Sequence, residues 1–552
     1  MQPVPLTLQM VLERAEALYP TKTVTTKTHD GFHRETYAEL VERVARLASA
    51  LKAMGISPGD RVATAAWNSY RHLELYLAVP CMGAVLHPLN VRLHPDQLSY
   101  IANHAEDRVV FADTSIAPLL SRVGGLKTVR ETVWMDDTGA GSPPEGLDYE
   151  ELLASASPGF VWPRLDERQA AAMCYTSGTT GSPKGVVYSH RSSVLHSFAL
   201  LFAGGFGLHE RDVSLPIVPQ FHANAWGIPY GSLLAGASMA MSGRFMDPVS
   251  VSQLVREAGV TISAAVPTIW IGLLEAIRTG EVNPSTLATL ERIPCGGSAT
   301  PEALMRGFDE LGIRIIPAWG MTETSPLGTI ASVKSTVAPE HELRARLTQG
   351  IPCPLLKIRV VGDEGEVLPW DGKSPGELQI SGPWIADAYY EPGSPDNRGG
   401  LDRFVDDPAG NRWLKTGDVA VIDPEGYMRI VDRTKDLVKS GGEWISTIDV
   451  ENLLMSHPKV AEAAVIAVQH PQWDERPLAC VRPSDHSVTK EELLELLAAK
   501  LTKWQVPDEI VFVEEIPKTA AGKFDKKVLR ARYVDYELPA APGRRGVGRK
   551  AL

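Results

Sequence analysis

Residues 175–185 read YTSGTTGSPKG and gather glycines and hydroxyl side chains around one lysine. Glycine has no Cβ, so the backbone N–H groups of such a loop can converge on an anion. The serine and threonine hydroxyls add further donors, and Lys184 adds a positive charge. Because an apolar strand pattern, AAAMCY, precedes the loop at residues 170–175, the composition favours a triphosphate or pyrophosphate cradle over a plain surface loop.

The spacing of this loop argues against two common nucleotide motifs. Gly185 follows Lys184, so the pattern is not G-x-x-x-x-G-K-[ST], and the glycines do not form G-x-G-x-x-G. The ordinary kinase-like and dinucleotide-binding folds therefore lose support.

Six further segments contain residue types suited to binding or charge stabilisation. Taken alone, none is specific: Asp418 is equally well explained as a turn-capping residue, and Trp319 as a core residue. Lys523 alone would be read as a solvated loop lysine. In chain order the segments are GGSAT (296–300), WGMTE (319–323), KTGD (415–418), DRTKD (432–436), KSGGEWIS (439–446) and PKTAAGK (517–523).

The elements that must position these segments alternate between helix and strand patterns in the first half of the chain. Thr36 and Glu39 have capping-box spacing at the start of one helix. Another helix is predicted over residues 192–202, with Ser192 or Ser193 near its N-cap. This alternation predicts an α/β protein with doubly wound α/β layers.

The pattern changes towards the C-terminus. Residues 355–430 contain short strands with Asp/Glu-Gly turns, which is typical of an antiparallel β unit, and a small α/β unit follows. We therefore predict a large N-terminal domain of α/β layers plus a β unit, a hinge, a small mobile α/β C-terminal domain and a flexible tail. Their predicted bounds are 1–432, 433–436, 437–540 and 541–552.

The composition limits the class of protein. The chain has 552 residues, 44% of them apolar and 22% charged, which is ordinary for a globular protein. A net charge of −12 gives no sign of nucleic-acid binding. The five cysteines lack metal-ligand spacing, as expected in a reducing compartment. Without a signal-peptide pattern or a long apolar run, we expect a cytoplasmic protein with no transmembrane segment.

Together, the loop and the ordered segments resemble the motifs of the adenylate-forming (ANL) superfamily: acyl-CoA synthetases, peptide-synthetase adenylation domains and beetle luciferases. The resemblance covers nearly the whole chain. HANAW (222–226) and GGEWIS (441–446) look most like the medium- and long-chain fatty acyl-CoA synthetase branch. The chain also somewhat resembles the diterpenoid-acid CoA ligases of platensimycin-type pathways, which would place it in antibiotic biosynthesis.

The resemblance implies an ATP-dependent acid–thiol ligase. A carboxylate and ATP would give acyl-AMP and pyrophosphate, and the acyl group would then pass to coenzyme A. It implies ATP, Mg²⁺ and CoA as co-substrates or cofactors, a small-molecule acid or acyl-AMP as partner, and leaves a homodimer open. Lys523, Glu323, His222 and Thr176 would be catalytic, with Glu323 and Thr176 also placing the metal.

The same resemblance assigns the nucleotide site. Lys523 would reach the carboxylate and the α-phosphate, and Asp418 would accept from the ribose hydroxyls because an ionised carboxylate is an acceptor only. The residues implied to bind ATP or AMP are Thr176, Ser177, Gly178, Thr179, Thr180, Gly181, Lys184, Gly297, Ser298, Trp319, Gly320, Met321, Thr322, Asp418 and Arg433.

Lys435 is implied to be the hinge about which the small domain rotates after adenylation. Lys523 would then leave the site, and the KSGGEW face would enter beside a pantetheine tunnel. A surface hairpin is the alternative reading of that segment. The residues implied to contact CoA are Lys439, Ser440, Gly441, Gly442, Glu443 and Trp444.

The acid pocket would contain Gln220, Ala223, Trp226, Ala265 and Gly297, with Trp226 resembling a gate. Gln220 and Ala223 depart from the apolar residue and the valine usual in relatives, which would make the pocket larger and more polar and fits a bulky acid rather than a simple chain. The small residues beside the aromatic gate predict a large apolar acid, such as a medium- or long-chain fatty acid or a polycyclic terpenoid acid.

Three alternatives stay open. The departures beside His222 are compatible with an enzyme that only transfers a preformed acyl-adenylate to CoA. A luciferase-like adenylating oxygenase and a non-catalytic ligand-binding relic are the other two.

Overall fold

The computed structural model describes residues 2–141, 145–176, 182–433, 436–440, 443–470, 473–519, 523–536 and 538. Elements are numbered along the chain. The helices are Leu8–Leu18 (α1), Tyr37–Ala53 (α2), Tyr70–Cys81 (α3), Pro95–Ala105 (α4), Ala117–Leu120 (α5), Tyr149–Ser155 (α6), His190–Ala199 (α7), Ile228–Ala235 (α8), Pro248–Ala258 (α9), Pro267–Arg278 (α10), Glu302–Asp309 (α11), Glu342–Arg346 (α12), Thr447–Met455 (α13), Lys490–Ala498 (α14) and Lys526–Arg532 (α15).

The predicted capping residues explain where several helices begin. The Thr36 side chain accepts from the Glu39 N–H, and the Glu39 side chain accepts from the Thr36 N–H, so the predicted capping box is confirmed. The helix predicted over 192–202 begins earlier than expected, because Ser189 is its N-cap and accepts from the Ser192 N–H. Its first turn is also anchored from outside, since the Leu8 N–H donates to Nδ1 of His190.

Two large mixed sheets form most of the molecule. One sheet runs in the order Ile351–Pro352 (β16), Leu327–Ile330 (β15), Arg314–Gly320 (β14), Arg292–Gly296 (β13), Ile262–Ala264 (β12), Val213–Pro216 (β10), Ser238–Met241 (β11), Thr23–Lys27 (β1) and Phe32–Thr36 (β2). The other runs in the order Arg398–Gly399 (β20), Tyr389–Tyr390 (β19), Lys184–Ser189 (β9), Ala170–Thr176 (β8), Val85–Pro88 (β4), Arg61–Ala65 (β3), Asp107–Asp113 (β5), Glu131–Met135 (β6) and Leu147–Asp148 (β7).

The central strands of both sheets pair in parallel, and helices separate them along the chain. Such strands are covered on both faces and are therefore apolar throughout. Val62 and Leu86, for example, are fully buried on β3 and β4. The predicted α/β layers are confirmed.

The predicted antiparallel unit is a third sheet. It runs in the order Lys357–Val361 (β17), Gly376–Ser381 (β18), Arg412–Ile422 (β22) and Phe404–Asp406 (β21), and Met428–Arg433 (β23) also pairs with β22. The unit is less separate than its sequence suggested, because β19 and β20 lie within residues 355–430 and join β9 of the second large sheet instead.

The C-terminal part has its own sheet, in the order Glu443–Ile445 (β25), Val438–Ser440 (β24), Asp474–Pro483 (β27) and Val460–His470 (β26), with Glu509–Phe512 (β28) on β27. The sheet forms one apolar cluster with residues of α13 and α14 and another with a residue of α15. A separate core of this kind agrees with a small C-terminal domain, while its exact bounds and the tail stay predictions. Among the described residues, no helix has the length and apolar character needed to cross a membrane.

Candidate active site

Lys523 lies just before α15 and reaches the large domain. Its N–H donates to Oγ1 of Thr519 at 3.2 Å, and its carbonyl accepts from the Thr519 N–H at 2.7 Å. A Cβ placed on Gly297, directly after β13, would lie 3.5 Å from Cε of Lys523 and 3.1 Å from Val266 Cγ1. The missing side chain and the φ of +89° at Gly297 explain why glycine occupies this position.

Charged and titratable groups from four other segments lie around Lys523. Burial and, to a smaller extent, the charge of Arg433 lower the pKa of Lys523 to about 8, although Asp418 and Glu323 act in the opposite direction. His222 lies in the same environment: burial and, to a smaller extent, the charge of Lys523 lower its pKa to about 4. The structure thus brings together five residues that the sequence predicted separately.

Asp418 is nearly buried, and both of its carboxylate oxygens have partners. Nε1 of Trp319 donates to Oδ2 at 2.9 Å, and Nε of Arg433 lies 3.2 Å from Oδ1. The register of β22 and β23 pairs Asp418 directly with Arg433. Each carboxylate oxygen has more than one lone pair, so Asp418 keeps acceptor capacity for ribose hydroxyls.

The turn after β14 carries the other predicted nucleotide residues. The sheet register shifts between Trp319 and Gly320, and a Cβ on Gly320 would lie 1.7 Å from the Pro326 carbonyl oxygen. The Met321 N–H donates to Oγ1 of Thr324, and the Thr322 carbonyl accepts from the Tyr188 hydroxyl. These contacts fix the backbone that presents Glu323.

Glu323 is 5% exposed, and its partner is a residue that the sequence analysis missed. The Tyr389 hydroxyl donates to Oε1 of Glu323 at 2.5 Å, and the ring of Tyr389 lies 4.9 Å from Nζ of Lys184. Lys184 begins β9, where it pairs with Thr176 at the end of β8. Both described ends of the glycine-rich loop therefore lie near the turn that carries Glu323.

The segment around His222 has an unusual backbone. Ala223, Asn224, Ala225 and Trp226 all have φ between +44° and +56°, a left-handed conformation that costs about 1–2 kcal/mol for each non-glycine residue. All four are buried, and the Trp226 ring approaches β13, since a Cβ on Gly296 would lie 3.4 Å from Trp226 Cη2. This turn places Trp226, the predicted gate, next to Gly296, and the following residue, Gly297, lies close to Lys523.

The remaining predicted acid-pocket residues are also buried. Oε1 of Gln220 accepts from the Ser69 N–H at 3.2 Å, whereas its Nε2 has no hydrogen-bond partner among the described residues. Ala265 is 1% exposed and pairs with Cys295 of β13. Their place in an acid pocket stays a prediction.

Part of the predicted site lies outside the described residues. This applies to the loop residues Ser177, Gly178, Thr179, Thr180 and Gly181, to Lys435, and to Gly441 and Gly442, together with the side chains of Lys439, Glu443 and Trp444. Of the neighbouring residues, Ser298 is exposed, and Ser440 is buried with its hydroxyl 3.1 Å from Nη1 of Arg476.

The chain is similar to known proteins over most of its length. Residues 12–390 match the family described as AMP-binding enzyme, and residues 449–523 match the AMP-binding enzyme C-terminal domain. The chain is 48% identical over 538 residues to a long-chain-fatty-acid–CoA ligase of Thermus thermophilus, covering 96% of each chain. It is 44% identical over 518 residues to a 3-methylmercaptopropionyl-CoA ligase of Ruegeria pomeroyi, covering 92% of this chain and 93% of that protein.

A solved structure has a similar fold over nearly the whole chain. ATP-bound MatB from Rhodopseudomonas palustris is 28% identical, with a TM-score of 0.81 over 96% of this chain and 99% of that one.

The chain therefore belongs to the AMP-binding, adenylate-forming enzyme family. Within that family it is an acyl-CoA synthetase, an AMP-forming acid–thiol ligase that uses ATP, CoA and a carboxylic acid and proceeds through an acyl-adenylate. The predicted family, enzyme class and fold class are confirmed.

Proposed function

We propose that the chain converts a large apolar carboxylic acid to its CoA thioester, with Lys523 as the cation of the first step. The carboxylate attacks the α-phosphorus of ATP, the acyl–phosphate bond forms, and pyrophosphate leaves. The CoA thiol then attacks the acyl carbon, and AMP leaves with its bonding electron pair. AMP is a far better leaving group than the oxide of a free carboxylate, which is why the first step is needed.

The observation that carries the proposal is the position of Lys523 among Gly297, His222, Glu323 and Asp418. The first step brings a carboxylate against an already anionic phosphate, so it needs preorganised positive charge. Lys523 supplies that charge at the point where Asp418 would hold the ribose. This placement favours a chain competent in acyl-AMP formation over one that only transfers a preformed adenylate.

Glu323 and Thr176 fit the Mg²⁺ that accompanies ATP. The described residues contain no group of three or more acidic, histidine or cysteine ligands. Mg²⁺ commonly binds through one or two carboxylates plus the phosphates of its substrate, so a lone buried carboxylate and a hydroxyl are sufficient. When bound, the ion would neutralise charge on the departing pyrophosphate.

His222 belongs to the acid side of the site. With a pKa of about 4, its ring is neutral near pH 7, so it can donate one hydrogen bond without adding charge. A neutral donor beside Lys523 would orient the substrate carboxylate. The predicted hinge at Lys435 and the CoA face would serve the second step.

The acid itself is inferred from the apolar residues around Trp226. Buried alanines and glycines next to an aromatic ring favour an apolar occupant, and burial gains roughly 25 cal/mol per Å². A relative named for long-chain fatty acids supports the same choice. A relative named for 3-methylmercaptopropionate supports a shorter, thioether-containing acid as the second candidate.

A panel of acids separates these candidates. Acetate, butyrate, octanoate, palmitate, an abietane acid and 3-methylmercaptopropionate would be compared by kcat/KM for pyrophosphate release and for thiol consumption. Burying one methylene gains about 0.8 kcal/mol of free energy. We therefore expect kcat/KM to rise about fourfold per added methylene until the pocket is full.

The outcomes are distinct. A maximum at acetate overturns the proposal, and a maximum at 3-methylmercaptopropionate selects the second candidate. Conversion of synthetic acyl-AMP to acyl-CoA, with no acid releasing pyrophosphate, would identify a transfer-only enzyme. Adenylation without thiol consumption, or the absence of both activities with every acid, would contradict the proposal.

A further inference from the structure

Tyr389 is a buried tyrosine between two predicted active-site residues. Its hydroxyl donates to Oε1 of Glu323 at 2.5 Å, and its ring centre lies 4.9 Å from Nζ of Lys184. Lys184 itself is exposed. The turn that presents Glu323 and one end of the glycine-rich loop therefore meet on a single side chain.

The backbone and packing hold Tyr389 in this place. β19 joins β9 through Tyr390 and Gly185. The Tyr389 ring packs against Phe404 with ring centres 6.0 Å apart, and a Cβ on Gly400 would lie 2.5 Å from Tyr389 Cδ2. The ring is thus confined on its edge, and its hydroxyl has a fixed direction.

We propose that Tyr389 is a positioning residue for acyl-AMP formation: its hydroxyl orients the Glu323 carboxylate, and its ring supports the Lys184 ammonium beside the phosphates. The inference rests on the proposed function of Glu323 and Lys184. A donor behind a metal-binding carboxylate orients that carboxylate, and losing such a partner typically costs about 10–100-fold in metal affinity or activity. A cation over an aromatic face is attracted to it, which favours one placement of the flexible lysine side chain.

Tyr389→Phe removes the hydroxyl and keeps the ring. We expect ATP–pyrophosphate exchange to fall about 10–100-fold and the Mg²⁺ concentration for half-maximal rate to rise, following the usual effect of such partners. Transfer from synthetic acyl-AMP to CoA should be unchanged. Electron paramagnetic resonance of Mn²⁺ with a non-hydrolysable ATP analogue should show weaker metal binding to the variant, independently of turnover.

Tyr389→Leu removes the ring as well, and its KM for ATP should rise further because Lys184 loses its support. Tyr390→Phe is the matched control: Tyr390 is the next residue, and its ring lies edge-on to His104. Tyr389→Phe should add nothing once Glu323→Gln is present, because the two changes act through one contact.

Two results would overturn the inference. One is a Tyr389→Phe enzyme with unchanged Mn²⁺ binding and unchanged exchange, when the wild type and Tyr390→Phe both adenylate. The other is an equal loss in both half-reactions together with a lowered Tm, which would indicate a purely structural role. If the wild type itself shows no exchange, it is the proposed function that fails.

Discussion

Lys523 shows how one residue acquires its chemistry from its surroundings. A lysine in a glycine-containing loop is ordinarily solvated and carries no functional signal. Here burial and Arg433 lower its pKa to about 8, while Asp418 and Glu323 oppose that shift. The pKa lies far enough below the ordinary value that the charge of Lys523 is lost within an accessible pH range.

The pH dependence of the first half-reaction should report this pKa. Only the protonated lysine stabilises the phosphate charge, so kcat/KM for ATP in pyrophosphate exchange should fall as pH rises through about 8, since kcat/KM reports groups of the free enzyme. Lys523→Arg, whose guanidinium stays protonated, should shift the fall to higher pH. Identical profiles for both enzymes, or an equal fall in transfer from acyl-AMP to CoA, would contradict the assignment.

The sequence predicted the individual site residues unevenly. Lys523, Glu323 and Asp418 lie in short motifs whose order along the chain is specific, so each was predicted before its neighbours were known. Tyr389 lies on a two-residue strand between β20 and β9, with no motif or periodicity of its own. Its role depends on a contact with Glu323, 66 positions away in sequence, and such contacts are set by the fold alone.

At the scale of elements, α15 connects Lys523 to the predicted hinge. Nζ of Lys526 lies 2.7 Å from Oε1 of Glu451, and Nη1 of Arg530 lies 2.6 Å from Oδ1 of Asp436. On the other side of the hinge, Asp432 is the next-to-last residue of β23 and accepts from both the N–H and the hydroxyl of Thr447, at 2.8 and 2.6 Å. The first helix of the small domain is therefore bound directly to the large domain.

Asp432→Ala should destabilise the orientation of the small domain in which Lys523 reaches the site. Hydrogen bonds to a charged group contribute about 1.5–3 kcal/mol. The equilibrium constant between the two orientations of the small domain should therefore change roughly tenfold or more. Pyrophosphate exchange should fall, and transfer from acyl-AMP to CoA should be spared or faster. The control is Asp449→Asn, because the Asp449–Arg429 pair makes a similar crossing but is largely exposed, and exposed pairs contribute little. An equal effect of the two variants would exclude this role for Asp432.

Short sequence patterns predicted the presence of helices better than the residues at which the helices begin. The capping box of α2 needs only residues close in sequence, and it was predicted correctly. The start of α7 was misplaced because several serines nearby are equally good caps. The choice of Ser189 is accompanied by a contact between His190 and Leu8, 182 positions apart, which no local pattern contains.

At the scale of the whole molecule, the structure has the relative placement of the two domains that the proposed role of Lys523 in the first half-reaction requires. Lys523 meets Gly297, and contacts between β23 and α13 join the large domain to the small one. The motifs predicted that both regions contribute to one site. They carried no information on their relative orientation, because that depends on many weak contacts along the interface.

A reciprocal pair of variants tests whether two orientations divide the reaction. Lys523→Ala should abolish acyl-AMP formation and spare transfer from supplied acyl-AMP to CoA, because only the first step sets a carboxylate against the α-phosphate. Gly441→Leu should do the opposite, because a branched side chain would narrow the predicted pantetheine path. Both half-reactions would be measured separately, by pyrophosphate exchange and by thioester formation. If each variant loses both half-reactions equally while remaining folded, one fixed arrangement serves both steps and the predicted rotation about Lys435 is wrong.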